Sequence, residues 1–143
     1  MPEEYRNRIW LTRPRPGVDR MSSAWLIQRF IDPKAKFTFA EKPKEGAKSI
    51  PFDMYGVEFS HHGDACTFET LASRFAVKDS GVKRLARIVH NLDLKDDKFQ
   101  APEAVAVGAM VEGLRKMYGN DGQLLQEGIK MFEALYRSWC TQQ

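Results

Sequence analysis

Two histidines, two carboxylates and a cysteine fall within nine positions of this sequence: Glu58, His61, His62, Asp64 and Cys66. Imidazole, carboxylate and thiolate are the common side-chain ligands of transition metals. A short strand over 57–60 that ran on to His61 would set His61 with Phe59 on one face and Glu58 with Ser60 on the other. A bend at its end would still bring Glu58 and His61 together. His61 and His62 point apart while the backbone stays extended, so at most one of them ligates. The competing reading is a polar loop whose histidines hydrogen-bond locally. Cys66 reads as a packed thiol, because nothing basic apart from the two histidines is near it in sequence.

Three further groups could join such a site. His90 and Asp93 are three residues apart, which puts them on one face of a helix, able to share an ion or bind each other. A helix-terminal histidine favoured by the dipole fits the same spacing. Glu103 is in register with Val107, Met110, Val111, Leu114 and Tyr118. A carboxylate on a core-facing stripe must be paired, protonated or metal-bound. Glu127, at the edge of the next apolar face, is a weaker case. Arg13, Arg15 and Arg20 surround a turn that feeds a helix N-terminus, where free N–H groups and the dipole favour an anion. Guanidinium forks suit planar or tetrahedral oxyanions. A solvated basic loop, or Arg20 paired with Asp19 or a nearby glutamate, is the alternative.

The elements that must position these groups follow from periodicity. Residues 8–13 alternate and read as a strand, with Ile9 and Leu11 against Trp10 and Thr12. Pro14 and Pro16 keep the next residues extended and turning. Asp19 is placed to cap a helix running to about Phe30, stopped by Asp32-Pro33, with Met21, Trp25, Leu26, Phe30 and Ile31 as its buried stripe. Residues 36–41 alternate as a second strand, 42–48 form a polar connector, and 50–52 and 57–60 read as short strands about a turn near Met54-Tyr55-Gly56. From Thr67 on the pattern is helical. Thr67 can cap a helix to Phe75, Asp79 or Ser80 another, Pro102 opens a third, and a last helix follows the break at 119–122. The expected fold is α+β, a small sheet from the N-terminal third covered by about five helices, in a single domain over 1–143.

Composition narrows the class. The chain has 143 residues, 43% apolar and 29% charged, with a net charge of +3, which suits an ordinary globular domain. Two cysteines exclude a disulfide scaffold. No apolar run approaches eighteen residues and the first ten hold no apolar segment, so neither a membrane span nor a secretory signal is expected. A cytoplasmic location without a membrane partner follows as the expectation. No G-x-G-x-x-G, P-loop, C-x-x-C, H-E-x-x-H or G-x-S-x-G motif is present.

Trp10-Leu11-Thr12-Arg13, then Pro16 and Val18-Asp19-Arg20, then Ala24-Trp25-Leu26-Ile27 with Arg29-Phe30-Ile31-Asp32-Pro33, resemble the opening of the chromate-resistance protein family, the C-terminal domain of ChrB-type proteins. Ile50-Pro51-Phe52-Asp53, the run from Glu58 through His61 and Gly63 to Cys66-Thr67-Phe68, and Ile88-Val89-His90 with Asp93 fit it too. So do Ala101-Pro102-Glu103-Ala104 and Ala134-Leu135-Tyr136, and the likeness runs from about residue 8 to 140. It implies a domain tied to chromate resistance, found alone or fused to regulatory or rhodanese-like regions. Direct nucleic-acid binding is not expected, since this chain does not include the regulatory region of the longer regulators. His61, His90, Asp93, Glu103, Arg13, Asp19 and Arg20 occupy motif positions. The resemblance selects His61 over His62. Asn91 stands where many relatives carry an acid, which leaves Asp93 as the carboxylate of that segment.

The expectation is a divalent transition metal (iron, manganese or zinc) among His61, His90 and carboxylates from Glu58, Asp93 and Glu103. Arg13 and Arg20 would hold a small anionic molecule or oxyanion beside it. Such a site belongs to a metal-dependent enzyme or redox protein, or to a non-catalytic sensor that holds the same ligand. Assembly as a homo-oligomer is compatible with both.

Overall fold

The computed structural model describes residues 2–43, 48–95 and 100–140. Strand β1 (Ile9–Thr12) lies at the centre of a three-stranded parallel sheet of order β2-β1-β3. β2 (Lys36–Phe39) pairs along its length, from Ile9 opposite Lys36 to Thr12 opposite Phe39. β3 (Ile50–Pro51) adds two residues opposite Trp10 and Leu11. Parallel neighbours need a crossover, and α1 (Val18–Leu26) supplies the one between β1 and β2. A central parallel strand is covered on both faces. Trp10, Leu11 and Thr12 are therefore all buried and only Ile9 faces solvent, so the two-faced alternation read from residues 8–13 does not hold.

α1 runs on into a π turn (Ile27–Ile31) that ends at Asp32. The fully buried Asp32 carboxylate accepts from the backbone N–H groups of Asn7 and Arg8 at 2.8 and 2.9 Å and from Trp10 Nε1 at 3.0 Å. Burial pushes its pKa up, but these hydrogen bonds outweigh it and hold the carboxyl below its ordinary value. One side chain thus ties the end of α1 to the start of the sheet.

Helices α2 (Thr67–Arg74), α3 (Ser80–Leu94), α4 (Ala104–Met117) and α5 (Asp121–Ser138) complete the α+β fold. Asp79 caps α3 by accepting from Gly81 and Val82 N–H, and Asn120 caps α5 by accepting from Gln123 N–H. One apolar core joins Trp10, Trp25, Phe52, Phe68, Leu85 and Phe132 from sheet and helices alike. On α4, Val107 and Val111 are buried but Met110 is about half exposed, so the apolar stripe is narrower than its periodicity suggests. Among the described residues no helix is long and apolar enough to cross a membrane.

Three local expectations need correction. Residues 57–60 form no strand. Phe59 alone bridges Phe52, and Ser60 Oγ donates to Val57 O at 2.7 Å, curling the segment back after Gly56 at φ 79°. Gly17, not Asp19, is the N-cap of α1, and Cys66, not Thr67, is the N-cap of α2. The polar connector 42–48 lies in part outside the described residues.

Helices α1 and α5 pack closely at Gly128. A Cβ there would stand 2.6 Å from Cγ and Sδ of the buried Met21. Overpacking of a core costs about 1–3 kcal/mol, against a gain of about 1 kcal/mol in helix propensity. Gly128→Ala is therefore expected to destabilise. Gly113→Ala on α4, where a Cβ meets nothing within 4 Å, is expected to stabilise by up to about 1 kcal/mol. Urea unfolding of the two variants checks the opposite signs.

Candidate functional site

The site is assembled where the first turn of α1 meets the N-terminus of α2. An α-helix begins with N–H groups that have no partner within the helix. In α2 the Thr67 and Phe68 N–H groups donate to Asp19, to Oδ2 and Oδ1 respectively, each at 2.9 Å. Asp19 stands in the first turn of its own helix but serves the next one, and its carboxylate is almost fully buried. Ser23 Oγ adds a longer bond at 3.4 Å.

His61 lies against this carboxylate. Its Nε2–H donates to Asp93 Oδ2 at 2.7 Å and approaches Asp19 Oδ2 at 3.2 Å. The hydrogen bond to Asp19 raises the imidazole pKa, burial opposes it, and Asp93 adds to the rise, which reaches about 9. Asp93 comes from the last turn of α3, and burial raises its carboxyl above the ordinary range. One ligand atom from each of Asp19, His61 and Asp93 lies within 4.8 Å of the other two. Among the described residues this is the one group of three such side chains close enough to share an ion.

Asp53 stands beside the group with φ 52°, a left-handed conformation that aspartate tolerates better than most residues. Its Oδ2 accepts from Arg20 Nε at 3.0 Å and its Oδ1 from Thr67 Oγ1 at 2.8 Å. Burial and the charge of Asp19 still raise its pKa, to about 6. Arg20 Nη1 donates to Pro14 O at 3.2 Å. A cavity of about 420 Å³ opens next to His61, walled by Arg13, Asp53, Tyr55, Ser60 and His62. Among the described residues, Arg13 Nε is buried there without a hydrogen-bond partner.

The other expected site residues lie elsewhere. Glu103 receives Arg84 Nε and Nη2 at 3.0 and 2.7 Å, so the carboxylate in register with the α4 stripe is satisfied by an ion pair with α3. Glu58 pairs with Arg74 Nε at 3.0 Å, because the curled 57–60 segment turns it toward the end of α2. His90 is fully buried and donates from Nδ1 to Glu69 Oε1 at 2.7 Å. Glu127 pairs with Lys130 on α5 at 3.3 Å. His62 Nε2–H donates to Glu58 O at 2.6 Å. Cys66 is buried, and burial raises its thiol pKa far above the ordinary value. Arg15 donates to the carbonyls of Arg115, Tyr118 and Gly119 at 2.7, 2.9 and 3.2 Å, which makes it a clamp on the end of α4 rather than an anion contact. Asp19 and Asp53 were not among the expected ligands, although both stand inside the motifs quoted for the resemblance.

The His61 contact sets a pH dependence. Its pKa is raised in the folded chain, so its contribution to stability is complete below about pH 6.5 and is lost as pH rises through about 9. The difference in melting temperature between wild type and His61→Gln, measured in chelator, is expected to be largest at pH 6.5 and to shrink by pH 9.5.

Comparison with known proteins bears on the same residues. The family described as ChrB, C-terminal domain matches residues 10–140. Protein ChrB of Cupriavidus metallidurans is 37% identical over 142 residues, covering 98% of this chain and 43% of that protein. The chain thus spans less than half the length of that relative. No solved structure matches it. With nearly the whole chain matched by both, it belongs to the ChrB C-terminal domain family.

Proposed function

We propose that this chain is a chromate-resistance-related domain that binds one divalent transition-metal ion on Asp19, His61 and Asp93 and a small oxyanion beside it. The observation that carries the reading is the convergence of three ligand atoms from three separate segments within 4.8 Å. A proton on His61 Nε2 now occupies the space between two carboxylates. A metal ion would take the place of that proton and exchange a single charge for a double one. Two oxygens and one nitrogen suit iron, manganese or zinc and leave positions for exogenous ligands.

The anion would enter the cavity beside His61. Arg13, whose buried Nε has no partner among the described residues, is the guanidinium that this pocket offers. Arg20 is already engaged by Asp53 and Pro14, so it contributes charge and holds Asp53 in place rather than gripping the ligand. Holding an oxyanion against a metal is the whole of the proposed activity. It serves a sensor directly, and turnover of chromate by the metal-loaded protein would extend it to an enzyme.

The wild type is expected to bind about one Mn²⁺, Fe²⁺ or Zn²⁺ per chain. His61→Ala and Asp93→Asn should each weaken binding at least tenfold, about 1.4 kcal/mol. His62→Ala and Glu103→Gln should bind as wild type does. Elemental analysis and calorimetric titration check this, and a wild type that takes up none of the three metals overturns it. Arg13→Lys keeps the charge but not the planar fork. It is expected to weaken chromate and sulfate binding several-fold while leaving metal content unchanged, as read by anion titration of the metal-loaded protein.

A further inference from the structure

The buried His90 stands three residues before Asp93 on α3, about 4.5 Å back along the helix axis. Its Nδ1–H donates to Glu69 Oε1 at 2.7 Å, and that same oxygen accepts from Cys66 N–H at 3.0 Å. Glu69 lies in the first turn of α2. The N–H groups of Cys66, Thr67 and Phe68 are therefore taken by two carboxylates, Glu69 for the first and Asp19 for the other two. α3 is tied to one of these carboxylates by His90, and Asp93 of the same helix reaches the His61 that touches the other.

The apolar residues of α3 already account for its attachment to the core. Val82, Leu85, Ile88 and Val89 are buried on it. Such packing is non-directional and does not by itself fix how far a helix slides or rotates. A 2.7 Å hydrogen bond to a fixed acceptor does. Replacing a buried hydrogen-bonded pair by apolar groups of the same shape is often nearly neutral, so burial alone does not explain a histidine at this position. We infer that His90 and Glu69 are positioning residues: they set the register of α3 against the N-terminus of α2 and so deliver Asp93 to His61. The consequence for metal binding rests on the reading above, whereas the placement of Asp93 does not.

The test compares His90→Leu, His90→Asn and Val89→Ala. Leu keeps apolar volume and removes the donor. The Asn side-chain amide can place its N–H where Nδ1–H stands. Val89→Ala loosens the same helix without touching the pair. Two quantities are measured: affinity for Mn²⁺ and Zn²⁺, and, in chelator, the coupling between His61 and Asp93 from a double-mutant cycle with His61→Gln and Asp93→Asn. Expected are a loss of metal affinity of at least tenfold and a loss of coupling in His90→Leu. Both should be largely kept in His90→Asn, and both unchanged in Val89→Ala despite its lower melting temperature. If the wild type binds no metal while coupling still collapses in His90→Leu, the metal reading fails and the positioning role stands. Affinity and coupling within twofold of wild type in His90→Leu would overturn the inference, as would an equal loss in Val89→Ala. Should His90→Leu not fold, Glu69→Ala replaces it in the same comparison, with coupling retained in that variant counting against the inference.

Discussion

Everything at the candidate site depends on a carboxylate buried at the wrong helix. Asp19 belongs to α1, yet it accepts the first two N–H groups of α2. Burying an anion is costly unless hydrogen bonds and a favourable dipole compensate it, and the start of α2 offers both. The cap locks α1 to α2 while keeping a negative charge in the interior. His61 then gathers at that charge, and Asp93 of α3 joins it from the other side. A structural contact and a ligand-binding contact are in this way made by one side chain. Asp19→Asn would therefore disturb the fold together with the site, and the informative substitutions are at His61 and Asp93.

Much of the architecture was legible in the sequence because it rests on local chemistry. The helices after Thr67 announce themselves through 3.6-residue periodicity, and Asp79 caps α3 as its place before Ser80 suggests. Periodicity said less about the sheet. Residues 8–13 alternate, but Trp10 and Thr12 are buried along with Leu11, because a central parallel strand has no wet face. Residues 57–60 alternate as a strand would, and nothing within that segment shows that Gly56 and the Ser60–Val57 bond fold it back.

The site divides along the same line. Ligand chemistry marked the histidines of the 58–66 run and Asp93, the resemblance selected His61 over His62, and the structure brings His61 and Asp93 together from positions 32 residues apart. Asp19 stood out as a helix cap, a possible partner of Arg20 and a motif position but not as a ligand, since a sequence does not reveal which helix a carboxylate will cap. Glu103 and Glu58 had the right chemistry, but Arg84 and Arg74 reach them first. For His90 and Glu69, 21 residues apart on different helices, no spacing rule applies. At the site Asp19, Asp53 and Asp93 interact with Arg13, Arg20 and His61, so the carboxylates are offset by cations. That balance keeps three acids tolerable in a small volume.

Arg15 gives this arrangement a dependence on time. Its guanidinium and backbone reach Arg115, Tyr118, Gly119 and Asp121, partners 100 to 106 positions further along the chain. Contacts of such separation form late, because a long loop must close before they are made. During synthesis from the N-terminus, Asp19, His61 and Asp93 would all have emerged while the loop holding Arg13 still lacked the helix end that fixes Arg15. The candidate ligand residues therefore exist well before the loop that carries Arg13 is anchored, and a chain interrupted before the junction of α4 and α5 would carry the ligands without that anchor.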